Sequence, residues 1–291
     1  MGSVFKRRTV TTEERQLGLP PVVVLTSGLL HWPMRNLWRL RKLATVAACI
    51  ALWETVSRWV LPQLDPQFAT LMPAPSSVLR AGFDLAVDGV LFKHLLASLK
   101  RTVVACSLAA AIAIPLGIAM GWSPAVYEQL DPVIEMVRPV PPLAWIPLSI
   151  LWFGIGDTQN QFIIFLGAFF PMLVNTMAGV RAIQPNLIRA ARCLGASERA
   201  VLTRVVFPAA LPHIFTGIRV GVGVGWMALV AAELVGAASG LGFLINDARN
   251  FLRTDIVVMG MASIGITGLV MDRMLRVVSR LVMPWYWGAA R

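Results

Sequence analysis

Between Arg101 and Glu128 the chain runs without a single charged residue, through Thr102–Tyr127. In hydrocarbon a backbone must satisfy its own N–H and C=O groups. An apolar run of about 20 residues wound as a helix at 1.5 Å per residue crosses roughly 30 Å of lipid. Such a run lies either across a bilayer or inside a large soluble core. With 291 residues, 57% of them hydrophobic and only 14% charged, the chain lacks the polar surface that the second solution requires. High hydrophobicity with few charges also excludes a disordered chain. The sequence reads as an all-α membrane protein.

Six stretches are long enough to span: Leu43–Leu61, the first twenty residues of Thr102–Tyr127, Val133–Phe153, Phe162–Val180, Arg219–Ala237 and Ile256–Met271, the last extended toward Val282. Glu54 and Arg58 in the first lie one helical turn apart and can pair. The third carries Pro139, Pro141, Pro142 and Pro147, so a kink or an unwound segment is expected there. The net charge of +11 would suggest nucleic acid in a soluble protein, but here its distribution follows the positive-inside rule. Residues 1–42 form a basic tail with Lys6, Arg7, Arg8, Arg15, Arg35, Arg39, Arg41 and Lys42 against Glu13 and Glu14. Six spans return the C-terminus, with Arg273, Arg276, Arg280 and Arg291, to the same side. The connection 181–212 lies there too, with Arg181, Arg189, Arg192, Arg199 and Arg204 against Glu198. Both termini are therefore expected in the cytoplasm. Lys100 and Arg101 are a local exception at the far end of the second span. The charge is topological, and no nucleic acid is called for. Cys49, Cys106 and Cys193 are too few and scattered for a zinc site or a disulfide framework and are expected to be reduced.

The 181–212 connection has its own helical pattern. Asn186 after Pro185 is a helix start; Leu187, Ile188, Ala191 and Leu194 follow at helical spacing; Gly195 can adopt the left-handed conformation that ends a helix, and Ser197 can cap the next. A short helical hairpin with an apolar stripe either lies on lipid headgroups or docks into a soluble partner.

The run Arg189-Ala190-Ala191-Arg192-Cys193-Leu194-Gly195, followed at the proper distance by Val205-Val206-Phe207-Pro208, resembles the EAA loop of permease subunits of ATP-binding-cassette importers. That pattern is Glu-Ala-Ala, three residues, Gly, nine residues, Ile-x-Leu-Pro; Arg189 replaces the Glu, and Val205 and Phe207 replace the Ile and Leu. The resemblance implies a coupling helix received by an ATPase subunit, with Arg189, Ala190, Ala191, Gly195, Ala196, Ser197 and Pro208 as contact or framing residues. Three further segments resemble the taurine and alkanesulfonate permeases, and more loosely the nitrate, bicarbonate and thiamine-precursor permeases. They are Asp131–Glu135 with Arg138–Leu148, Trp152–Gly156, and Gly221–Trp226 with Leu229–Leu234.

The resemblance implies a type I importer transmembrane domain over residues 90–283, preceded by a first membrane helix at 43–61. It implies a multi-pass subunit of the bacterial inner membrane, with taurine as the first substrate expectation and alkanesulfonate, nitrate or another small anion as the alternatives. The implied partners are a second copy of the chain, two ATPase subunits, and a periplasmic or lipid-anchored binding protein. No Gly-x4-Gly-Lys-Ser/Thr motif occurs, so ATP and magnesium are expected in the ATPase partner, with no cofactor and no catalytic set in this chain. An autonomous ion-coupled transporter is the competing class.

Other residues are open to two readings each. Gly217, Gly221 and Gly225 recur on one helix face, suited to close helix packing within the subunit or at a subunit interface. Glu233 is an acid inside a strong span. It could pair with Arg219 or Arg249, be protonated and hydrogen-bonded, face and gate a water-filled cavity, or meet the amine of a substrate such as taurine. Pro142, Trp145 and Trp152 make the kinked third span a pathway candidate, because carbonyls freed by proline are tolerated at membrane depth only in protein or along a cavity. The apolar outer connection Gly240–Asp255 reads as a gate or as a docking point for the binding protein.

Overall fold

The computed structural model describes residues 31–64 and 71–288, nearly all helical and, among these, without a strand. Residues 1–30, most of the predicted basic tail, lie outside the described residues. The tail's last part is helical: α1 spans His31–Thr55 and continues through a wide turn at Val56–Val60 into Leu61–Leu64. Its apolar stretch, Ala44–Gln63, lies close to the predicted first span. The chain divides into two compact units, residues 1–52 and 53–291; in the first, α1 is the only described element.

The second unit opens with a polar clamp. Glu54 accepts hydrogen bonds from the Ser76 backbone N–H (3.0 Å) and hydroxyl (2.8 Å), and Arg58 pairs with it at 2.6 Å, tying the chain to the start of α2, Pro75–Val87. After Gly89, left-handed at φ 73°, α3 runs Val90–Trp122. It begins well before the predicted start at Thr102 and incorporates Lys93, His94, Lys100 and Arg101. Arg101 is only 4% exposed, so it is no exception at a helix end but a buried, paired group.

The third span is broken. Helix α4 (Pro124–Val137) and the segment Pro142–Phe153 meet at 79°. Pro139, Pro141 and Pro142 supply no N–H, and the corner is held by Val140 N–H to Val137 O (3.1 Å) and Ala144 N–H to Pro141 O (2.9 Å). A tight turn at Pro142–Trp145 leads into α5, Ile146–Phe153. Helix α6 is Asp157–Arg181 and α7 is Pro185–Cys193. Glu198–Val201 and a wide turn at Leu202–Val206 run directly into α8, Phe207–Gly236, so that Glu198–Gly236 is one 39-residue apolar span. The fifth span thus starts earlier than the predicted Arg219, and Pro212 lies inside a helix rather than closing a loop. Helix α9 is Leu241–Asn250 and α10 is Thr254–Val282. Counting the broken pair as one crossing, six segments among the described residues are long and apolar enough to span.

The core is α6 sandwiched between α3 and α8. Ala105, Ala109 and Ala113 present small side chains from α3 to Ile164, Ala168, Met172 and Leu173 of α6, all buried. On the other side a Cβ at Gly221 would stand 2.7 Å from the Ala168 carbonyl, one at Gly217 2.8 Å from the Asn175 Cβ, and one at Gly225 3.2 Å from Ile164 Cγ2. Without a hydrophobic effect between helices in lipid, such close backbone approach is the main source of packing energy.

Candidate functional site

Three constellations stand out at different depths of this bundle. The first is the hairpin after α6. Gly195 is left-handed at φ 81° and ends α7, and the Ser197 hydroxyl accepts from Ala200 N–H at 3.4 Å to cap the following turn. The predicted apolar stripe divides. Ile188, Ala191 and Ala196 turn in against Val180, Val201, Val206 and Ala210, whereas Leu187 and Leu194 stand out, Leu194 at 88% exposure. Arg189, Ala190 and Gly195 lie on the exposed side, and Pro208 is half-buried at the start of α8. Arg192 braces the hairpin by pairing with Glu198 at 2.9 Å and lying 5.9 Å from the Trp122 ring. Arg181 sits 3.7 Å over Tyr127.

The second is a cavity of about 340 Å³ at the break of the third span. Its walls are Arg138, Val140, Pro142 and Trp145 from the corner, Leu166, Gly167, Phe170, Pro171, Val174 and Asn175 from α6, and Val224 from α8. That volume and this mainly apolar lining with two polar groups are the ordinary form of a small-molecule site. Trp145 stacks obliquely on Trp152 with centroids 6.5 Å apart; Trp152 meets Phe162 and Phe153 and does not reach the cavity.

The third lies at the opposite end of the bundle from the hairpin, where α3, α6, α8 and α9 meet. Glu233 is 1% exposed and does not line the cavity at the break of the third span. It accepts from Arg101 Nη1 (2.7 Å), from Gly242 N–H (2.9 Å) and from the Ser98 hydroxyl (2.8 and 2.9 Å). Arg101 also donates to the Ser239 carbonyl (2.6 Å) and hydroxyl (2.9 Å) and pairs with Asp157, its Nε at 2.7 Å. Leu241 N–H reaches Ser98 Oγ at 2.9 Å and Gly240 N–H reaches His94 Nδ1 at 3.0 Å. Every guanidinium nitrogen and both carboxylate oxygens are engaged, the condition under which a charge pair is tolerated inside protein. The partner is neither Arg219 nor Arg249: Arg219 pairs with Asp272 on α10.

Comparison with known proteins decides what these features belong to. The family model for the inner membrane component of binding-protein-dependent transport systems matches residues 113–284. The chain belongs to that family. The taurine transport system permease protein TauC of Escherichia coli is 44% identical over 88% of this chain and 93% of its own length. The nitrate import permease protein NrtB of a Synechocystis strain is 32% identical over 84% of this chain and 90% of its own. The methionine ABC transporter MetNI, solved in inward facing conformations, superposes with a TM-score of 0.52 at 20% identity, over 64% of this chain and 96% of that one. The fold is that of a type I importer transmembrane domain, and the chain is a permease of the taurine, alkanesulfonate and nitrate group.

Of the residues singled out in the sequence, Pro142 and Trp145 reach the permease's cavity, Trp152 backs Trp145, and Glu233 lies away from it in a polar cluster of its own. Gly217, Gly221 and Gly225 face α6 of the same chain. The connection after α8 is an ordered helix with Leu241, Leu244 and Ala248 buried, its start held by the Glu233 cluster. Arg138 and Asn175 escaped the sequence reading. Arg138 was visible as the one cation within the proline-rich break, but Asn175 has no sequence signal that separates it from a packing residue.

Proposed function

We propose that this permease carries taurine inward across the bacterial inner membrane as part of an ATP-driven importer. The observation that carries the substrate reading is the 44% identity to the Escherichia coli taurine permease across nearly the whole of both chains. The cavity, apolar apart from Arg138 and Asn175, suits a two-carbon zwitterion with a sulfonate. Two copies of the chain pair to complete the pathway. The α7 hairpin faces the cytoplasm, as its Arg-rich composition favours, and docks into an ATPase subunit through Ala190, Gly195 and the exposed Leu187 and Leu194. A binding protein delivers the solute at the opposite end, near the Arg101–Glu233 cluster, and both termini are cytoplasmic. ATP and magnesium bind the ATPase partner.

Reconstitution in liposomes with the cognate ATPase and binding protein tests the reading: ATP-dependent uptake of labelled taurine is expected, with weaker uptake of alkanesulfonates and none of nitrate. Uptake of nitrate alone ends the sulfonate assignment, and ion-driven uptake by this chain without any ATPase ends the importer assignment. Gly195→Arg places a long side chain on a left-handed residue at the docking face, and loss of ATPase co-purification is expected.

A further inference from the structure

Arg138 follows the last residue of α4, at a corner flanked on both sides by apolar membrane segments. It is exposed and, among the described residues, forms no ion pair, although Glu135 lies three residues before it in the last turn of α4. Two arginines on the neighbouring helices are paired: Arg101 with Glu233 and Asp157, Arg219 with Asp272. An ionised group in a membrane-embedded segment is retained where it meets a counter-charge or water, and a lone one on a cavity wall is set to meet an anion. The rest of the lining gives that anion its shape. Trp145, Phe170, Val174 and Val224 make an apolar wall, and Asn175, whose Nδ2 donates to the Pro171 carbonyl at 2.8 Å, is the second polar side chain on the cavity. Gly167 and Asn175 lie ten and eighteen residues from the start of the 25-residue α6, so the cavity sits toward the middle of the crossing.

We propose that this cavity is a transient binding site for the solute's anionic head, with the Arg138 guanidinium as its counter-ion and the aromatic wall against its short carbon chain. It rests on the importer reading, since the cavity must lie on the transport path, and it adds a selectivity element within the permease for small alkyl sulfonates. The planar fork of arginine suits a multi-oxygen anion, and neither carbonyls nor tryptophan on the wall attract one.

The test uses charge-matched probes. In the assembled complex, Cys49, Cys106 and Cys193 are replaced by alanine and Asn175→Cys places one thiol on the cavity wall. Its reaction with 2-sulfonatoethyl methanethiosulfonate is compared with that of the 2-(trimethylammonio)ethyl reagent, each normalised to an exposed thiol on the α7 hairpin in a separate variant. The sulfonate reagent is expected to be favoured by about tenfold, the lower range of a charge-assisted hydrogen bond. Added Arg138→Gln removes that preference, Arg138→Lys keeps part of it, and taurine slows the labelling. Val140→Cys, on the same wall, repeats the measurement if Asn175→Cys does not assemble. A ratio equal to the hairpin control, or one unchanged by Arg138→Gln, overturns the proposal. Preserved preference in a complex that imports no taurine leaves the anion site standing and removes only the substrate reading.

Discussion

Replacing Arg101 with methionine removes the cation from the polar cluster while keeping a long side chain in its place. The Arg101 side chain is 5% exposed and that of Glu233 fully buried, so the substitution leaves a carboxylate inside the protein with only Ser98 and Gly242 as donors. Breaking a buried pair from one side costs about 3–5 kcal/mol. The arm to Asp157 adds little, because Asp157 is 60% exposed and such pairs contribute roughly 0.2–1 kcal/mol. Glu233→Gln is milder: Arg101 retains Asp157 and Ser239, and the loss is that of charge-assisted hydrogen bonds, about 1.5–3 kcal/mol. Asp157→Asn should cost under about 1 kcal/mol by the same surface argument. The order is therefore Arg101→Met, then Glu233→Gln, then Asp157→Asn. The double variant Arg101→Met/Glu233→Gln should be more stable than Arg101→Met alone, because it leaves no buried charge unpaired. Unfolding of the purified permease by SDS in mixed micelles, followed by circular dichroism, measures each free energy. A double variant no better than Arg101→Met, or an Arg101→Met within about 1 kcal/mol of the wild type, refutes the account of a charge pair held by mutual need.

Gly240 stands at φ 118°, and a Cβ there would fall on the Glu233 carboxylate, so Gly240→Ala should loosen the start of α9. The readout is faster tryptic cleavage at Arg249 and Arg253, and unchanged cleavage contradicts the expectation. On α8, Gly221→Val should cost about 1–3 kcal/mol by forcing α8 away from the Ala168 carbonyl of α6, whereas Gly223→Val, which meets nothing within 4 Å, should cost much less. Equal losses in SDS unfolding would show that both sites report helix propensity rather than packing.

The spans were legible because lipid imposes a simple rule on composition, and the hairpin because Gly195 and Ser197 have few other uses at that spacing. What failed was the treatment of charge. A hydropathy count penalises Lys100 and Arg101 without knowing that Glu233, 132 residues further on, will neutralise Arg101, so α3 was cut short and Glu233 was assigned wrong candidate partners. The division of the hairpin's stripe was equally hidden. In a nine-residue helix Leu187 and Ile188 differ by one step of rotation, and only the position of Val201 and Val206 beneath decides which faces in. The broken third span was written in its prolines, but the cavity needed α6 and α8 to close it. Sequence showed the corner and not the space behind it.

The span Glu198–Gly236 joins the hairpin to the charged cluster without interruption, and near its middle it packs tightly on α6 at Gly221. As a lever pivoting at Gly221, it has an arm of roughly 35 Å toward Glu198 and one of roughly 22 Å toward Gly236, at 1.5 Å per residue. Motion applied at the hairpin would arrive at Glu233, roughly 18 Å from the pivot, reversed in direction and reduced by about half, the proportions of a device that trades travel for force. A small swing there still acts on an end tied down by Arg101, so tilting this one helix would strain or release the clasp holding α3, α6 and α9 together.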